Sequence, residues 1–159
     1  MIQRFGDKLR YLRKQQQLTQ KECADLLGLA RHSHISNLES GRKTPSLELV
    51  CLMARQFDVS VDYLLRDDVA VDKPETLATH AEDTLKLQFA SNLRTLRTRA
   101  RLTQVELAKE LGGISQWHLS HLETGSKGPS LEILLAIAGF FDVLVEDILY
   151  GNFDKNIVL

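Results

Sequence analysis

Leu18-Thr19-Gln20-Lys21-Glu22-Cys23-Ala24, then Leu27-Gly28, then Ser36-Asn37-Leu38-Glu39-Ser40-Gly41-Arg42-Lys43-Thr44-Pro45-Ser46-Leu47-Glu48, is the stretch that decides the fold, because the chain writes it twice. The second writing opens at Leu102-Thr103-Gln104-Val105-Glu106-Leu107-Ala108 and closes at Pro129-Ser130-Leu131-Glu132. Residues 5–68 align without a gap onto 89–152 at a constant offset of 84, and 28 of the 64 aligned positions are identical. A fixed-period duplication marks a repeated structural unit. At 159 residues the chain therefore divides into two small domains rather than one large one.

Outward from that stretch, each repeat reads as five helices. Helix 1 of the first repeat is predicted from Ile2 to Gln17, with Phe5, Leu9 and Leu12 at helical spacing. Thr19-Gln20-Lys21-Glu22 and Thr103-Gln104-Val105-Glu106 are capping boxes, in which a threonine hydroxyl and a glutamate satisfy backbone amides reciprocally. Gly28 and Gly112 end the second helix in a left-handed turn. A short third helix runs to about Glu39 or Glu123 and stops at Gly41 or Gly125. Pro45-Ser46 and Pro129-Ser130 open the fourth, with serine as N-cap. Phe57-Asp58-Val59 and Phe141-Asp142-Val143 divide it from a fifth. Two helices joined by a tight turn in each repeat make a helix-turn-helix.

Composition restricts the alternatives. The 43% apolar share lies mainly in Leu, Ile, Val and Ala with little β-alternation, so the chain is expected to be all-α. No apolar run approaches the ~20 residues of a membrane span, and no signal peptide opens the chain, which predicts no membrane partner and a cytoplasmic location. Cys23 and Cys51 stand where the other repeat has Leu107 and Leu135, so they read as small buried apolar residues rather than as metal ligands or a disulfide. His118 and His121 could share a helix face, but no third ligand stands at zinc-like spacing; no metal and no cofactor are expected. Nor does any nucleotide loop, nucleophile–base arrangement or carboxylate pair suggest an enzyme. The net charge of −1 is unevenly spread: residues 1–68 carry +2, residues 85–152 zero, and residues 69–84 carry −3. A local basic face on the first repeat is compatible with that distribution.

These residues resemble the phage repressor/Cro (XRE-type) helix-turn-helix family. The first repeat matches through Leu18-Thr19-Gln20, Glu22, Ala24, Gly28, Ile35-Ser36, Leu38-Glu39, Gly41 and Pro45-Ser46. The second matches more closely, through Thr103-Gln104, Glu106-Leu107-Ala108, Ile114-Ser115-Gln116 and Leu119-Ser120. About 128 of the 159 residues are covered. From Gly28 to Ile35 and from Gly112 to Leu119 each turn is one residue longer than the family's common pattern, which bears on how far the second helix projects. The implied architecture is two five-helix domains of lambda repressor/Cro type: domain 1 at 1–68, an acidic connector at 69–84, domain 2 at 85–152, and a tail at 153–159.

The resemblance implies a role for particular side chains. The motif's second helix enters the major groove, which places base readout on Arg31, His32, Ser33 and Asn37, and on Gln116, Trp117 and His121. Arg31 occupies the family's small N-cap position, whereas Ser115 is a proper cap. Asn and Gln suit adenine and Arg suits guanine, while Trp117 is an awkward reader and a more ordinary protein anchor. Phosphate contacts fall on Gln20, Arg42 and Lys43, and on Gln104 and Lys127, which makes the first repeat the better clamp. Arg13 with Glu39, and Arg97 with Glu123, fall where the family makes a buried ion pair and are assigned to architecture.

The connector is expected to be helical. Asp72-Lys73-Pro74-Glu75 reads as a helix start, and Leu77, Ala81, Leu85, Phe89, Leu93 and Leu96 continue at spacings of four and three, predicting one helix over 74–100. Sixteen connector residues reach ~50 Å extended or ~24 Å as helix, against half-sites ~34 Å apart. Either the repeats form a built-in pseudo-dimer, or one reads DNA while the other forms a homodimer; the weak charge of repeat two and Trp117 favour the latter. Ile157-Val158-Leu159 could add to such a contact.

The expected function is a sequence-specific double-stranded DNA-binding transcriptional regulator, a repressor, associated with a bacterial or mobile-element nucleoid. A protein antagonist could regulate it. The rivals are a protein-interaction adaptor and an antitoxin, in which one or both motifs, domain 2 above all, serve partner binding.

Overall fold

The computed structural model describes residues 2–72, 74 and 85–151. They fall into two compact units, Met1–Ala78 and Thr79–Leu159. Among the described residues there are ten helices and no strand, so the all-α reading holds. None of these helices is long and apolar enough to cross a membrane.

The first unit contains α1 (Phe5–Gln15), α2 (Gln20–Leu26), α3 (Ser33–Glu39), α4 (Leu47–Phe57) and α5 (Val61–Leu65). Thr19 caps α2 through the box read from sequence: its hydroxyl accepts from the Glu22 amide at 3.2 Å, and its own amide donates to the Glu22 carboxylate at 2.8 Å. Ser46 caps α4 by accepting from the Leu49 amide at 3.3 Å. α1 packs on α3 and α5, α2 on α3, and α4 on α5. Phe5, Leu9, Ile35, Leu38, Val50 and Met53 fill the space between them. α1 starts at Phe5 and not at Ile2, and the Gln3 and Arg4 amides ahead of it donate to the Asp67 carboxylate at 3.0 and 2.9 Å.

The second unit repeats the plan with α6 (Leu85–Arg99), α7 (Gln104–Glu110), α8 (Gln116–Glu123), α9 (Leu131–Phe141) and α10 (Val145–Tyr150). Thr103 and Ser130 cap α7 and α9 as their counterparts do. Even the unusual backbone recurs: among the described residues, the non-glycine residues with positive φ are Gln17 and Asp58 in one unit, and Arg101 and Asp142, their equivalents, in the other. Of the expected helix over 74–100, α6 is present from Leu85; Pro74 lies in no helix, and residues 75–84 lie outside the described ones, as does the 153–159 tail. Phe89, Leu93 and Leu96 are buried within the second unit.

One polar network crosses each apolar core. Arg13 Nε donates to Glu39 Oε1 at 2.5 Å and Arg13 Nη2 to Glu39 Oε2 at 3.2 Å, while Gln20 Nε2 donates to the same Oε2 at 2.9 Å. Arg13 Nη1 also donates to the Leu18 carbonyl at 2.7 Å. A residue of α1, one of α2 and the last residue of α3 thus meet on one carboxylate. Arg97, Gln104 and Glu123 build the same figure, with contacts of 2.5, 3.0 and 2.9 Å. The Glu39 and Glu123 side chains are only 1% and 4% exposed.

Burial alone would raise the Glu39 carboxyl, but hydrogen bonds from Arg13 and Gln20 outweigh it and hold the group below its ordinary 4.5. A carboxylate depressed in the folded state contributes stability that is complete above its unfolded value and is lost as pH falls through its folded one. Glu39→Gln, which leaves Arg13 without its buried anion, is expected to cost about 3–5 kcal/mol near neutral pH. Urea unfolding of wild type and variant should show that gap narrowing as pH falls below about 4.5. A gap independent of pH would show that the Glu39 charge does not support the fold.

Candidate nucleic-acid interface

α3 and α8 each have one buried side and one open side. On α3, Ile35 and Leu38 are buried; at 3.6 residues per turn, Ser33, Ser36, Asn37 and Ser40 occupy the opposite side. Ser33 and Ser40 are exposed, and Ser36 and Asn37 half-buried. On α8, Leu119 and Leu122 are buried, and Trp117, Ser120, His121 and Thr124 lie opposite. The packing of one face therefore selects the face left for a ligand, and the two units present different chemistry there.

Small hydroxyl and amide groups make the open face of α3. Arg31 and His32 are exposed just before it, and Arg42 and Lys43 just after. The Arg42 and Lys43 amides donate to the Asn37 carbonyl at 2.9 and 3.2 Å, so the loop folds back on the end of the helix and places two cations there. Cations thus stand at both ends of the α3 face. Arg10, which sequence reasoning did not assign, lies close by: its Nη2 donates to the Glu39 carbonyl at 3.3 Å and its Nε is 3.5 Å from the Glu39 carboxylate. The signal that could have found it is its retention as Arg94 in the second repeat.

α8 opens differently. Ser115 accepts from the His118 amide at 3.1 Å, and the helix starts at Gln116, which is exposed. Arg31, at the equivalent place, offers no side-chain acceptor. His32 stands at the N-cap of α3 with no side-chain bond, the His34 amide takes the Arg31 carbonyl at 3.0 Å, and α3 begins one position later than α8. Trp117 is 59% exposed at the centre of the open face. The His121 ring stands 4.0 Å from its ring, and the Lys127 ammonium 4.7 Å from the ring centre. The Lys127 amide donates to the His121 carbonyl at 3.1 Å.

Gln20 and Gln104 each direct one side-chain N–H to Glu39 or Glu123, which leaves the second N–H of the same amide for a phosphate. Both stand at the first position of their helices, beside the capping threonines. Cys23 is buried and its thiol is pushed up to about 11 by burial, so it stays protonated. Among the described residues no three His, Cys, Asp or Glu side chains lie together as a metal site.

Comparison with known proteins agrees with this architecture. The helix-turn-helix family profile matches residues 9–64 and again residues 93–148. The chain belongs to the helix-turn-helix family. Among relatives, it is 41% identical over 61 residues to the uncharacterized HTH-type transcriptional regulator YobD of Bacillus subtilis strain 168, covering 38% of this chain and 54% of that protein. It is 41% identical over 65 residues to an uncharacterized HTH-type transcriptional regulator of Methanocaldococcus jannaschii, covering 41% of this chain and 97% of that one. It is also 32% identical over 85 residues to the antitoxin PezA of Streptococcus pneumoniae serotype 4, covering 54% of this chain and 51% of PezA. The chain spans about half the length of several curated relatives it matches. In this helix-turn-helix chain, both matched segments contain the buried Arg–Glu–Gln network and the open face beside it.

α3 and α8 differ by one cap, and that difference is measurable. Arg31→Ser supplies the missing acceptor and is expected to stabilise the chain by about 0.5–1 kcal/mol, while Ser115→Ala is expected to cost about 1 kcal/mol. Thermal unfolding followed by circular dichroism checks both; no gain from Arg31→Ser would mean that the late start of α3 has another cause.

Proposed function

We propose that this chain is a sequence-specific double-stranded DNA-binding transcriptional regulator acting as a repressor, with α3 and α8 each entering a major groove and domain 1 the stronger reader. The observation that carries the reading is the pair of open faces on α3 and α8, each held at the end of an identical buried network. Asn37 can serve adenine and Arg31 guanine, and Gln116 offers adenine recognition in the other unit. Arg42 and Lys43 flank the first face as phosphate partners, and Lys127 the second. Backbone contacts of this kind hold the protein on the duplex at the cost of strong salt dependence.

Domain boundaries at 1–68, 69–84, 85–152 and 153–159 fit this use, with one reader in each domain. The faces differ at Arg31/Ser115, His32/Gln116, Ser33/Trp117 and Asn37/His121, so the operator should comprise two unlike half-sites. Occupancy alone suffices for repression, and binding rather than catalysis is what the site residues are equipped for. Relatives named as HTH-type regulators support this reading. The antitoxin PezA is compatible with a partner-binding role for domain 2 and does not outweigh it.

Selection from a random duplex pool followed by footprinting tests the proposal. Asn37→Ala and Gln116→Ala should each relax a different half of an asymmetric site. A palindromic site sensitive to Asn37→Ala alone would make domain 2 a homodimer contact. No enriched duplex would overturn the regulator reading in favour of an adaptor.

A further inference from the structure

Trp117 is the one large apolar side chain on either open face, and the major groove contains few groups that it could meet favourably. Base edges there present hydrogen-bond donors and acceptors, and the one apolar group is the C5-methyl of thymine. We propose that Trp117 recognises a thymine methyl, giving the half-site of domain 2 a thymine requirement that domain 1, with Ser33 at the equivalent position, lacks. This rests on the reading that α8 enters a major groove.

Three features support a reading role over a loose surface aromatic. Trp117 is the second residue of α8, in the helical turn that reaches base edges when such a helix lies in the groove. Its indole lies against the His121 ring at 4.0 Å and has the Lys127 ammonium 4.7 Å from its centre, two contacts that favour this orientation before binding. His121 is itself anchored, its Nδ1 lying 2.8 Å from the Trp117 carbonyl. The same Lys127 brings a cation beside the indole, suited to the phosphate next to the base being read. The apolar ring of an indole pressed on guanine, cytosine or adenine would instead cover polar edge groups, of which its single Nε1–H can satisfy one acceptor and no donor.

The test uses the full chain and the duplex enriched by selection. Each thymine is replaced singly by uracil, which removes the methyl group and keeps base pairing, and binding is followed by fluorescence anisotropy at fixed salt. One replacement, inside the half-site that Gln116→Ala relaxes, should weaken wild type about fourfold, the effect of one buried methyl-sized group. Trp117→Ala should bind the thymine and uracil duplexes equally. If no replacement affects wild type although Gln116→Ala still relaxes its half-site, domain 2 reads by polar contacts alone and the proposal is overturned. If neither Gln116→Ala nor Trp117→Ala changes binding to a duplex that Asn37→Ala affects, Trp117 faces a protein and the proposal is equally overturned. Failure to enrich any duplex would instead reject the function on which it rests.

Discussion

A buried carboxylate at the end of α3, and its counterpart at the end of α8, is the constraint from which the rest of each domain follows. Glu39 and Glu123 are almost wholly removed from water, and an ionised group there survives only with partners that replace its hydration. Arg13 and Gln20 supply them in one domain, Arg97 and Gln104 in the other. Because the arginine comes from the first helix and the glutamine from the second, the carboxylate ties three helices together at one point. A helix-turn-helix needs that fixed angle between its helices if a few side chains are to meet particular base edges.

With the angle fixed from beneath, the outward face is free to change. The three network residues are identical in the two repeats, as are the capping threonines and the Pro-Ser that opens the fourth helix. Every proposed base-reading position differs. Close packing elsewhere shows how the domains absorb local change. Gly6 lies against the end of α3, where an added Cβ would come within 2.7 Å of the Leu38 and Glu39 carbonyls, yet its equivalent is the buried Ala90. Two residues further along α1, buried Lys8 donates to the Tyr63 and Arg66 carbonyls, whereas its equivalent Asn92 serves the Ile148 carbonyl at 2.9 Å. The task of satisfying the last helix's carbonyls is retained while the residue that performs it is not.

Local rules made much of this legible. The helix order, both capping boxes and the serine caps of α4 and α9 follow from residues within three or four positions of one another. The weakness of Arg31 as a cap was equally visible, and its consequence is the later start of α3. What depended on distant partners was not legible: the Asp67 carboxylate that takes the Gln3 and Arg4 amides, the engagement of Gln20 by Glu39, and the Lys127 ammonium over Trp117. The open faces could be read from helical periodicity once Ile35, Leu38, Leu119 and Leu122 were assigned to the core. Which chemistry each face meets depends on a ligand and is written in no local pattern.

The central claim is that two scaffolds sharing one buried network carry independent reading surfaces. It is tested most directly by transferring one surface to the other scaffold, through Ser115→Arg, Gln116→His, Trp117→Ser and His121→Asn together, and repeating the duplex selection. The account predicts a folded protein whose enriched site changes from two unlike half-sites to two copies of the one read by α3. An enriched site identical to that of wild type would contradict it, because the α8 face would then take no part in choosing the sequence.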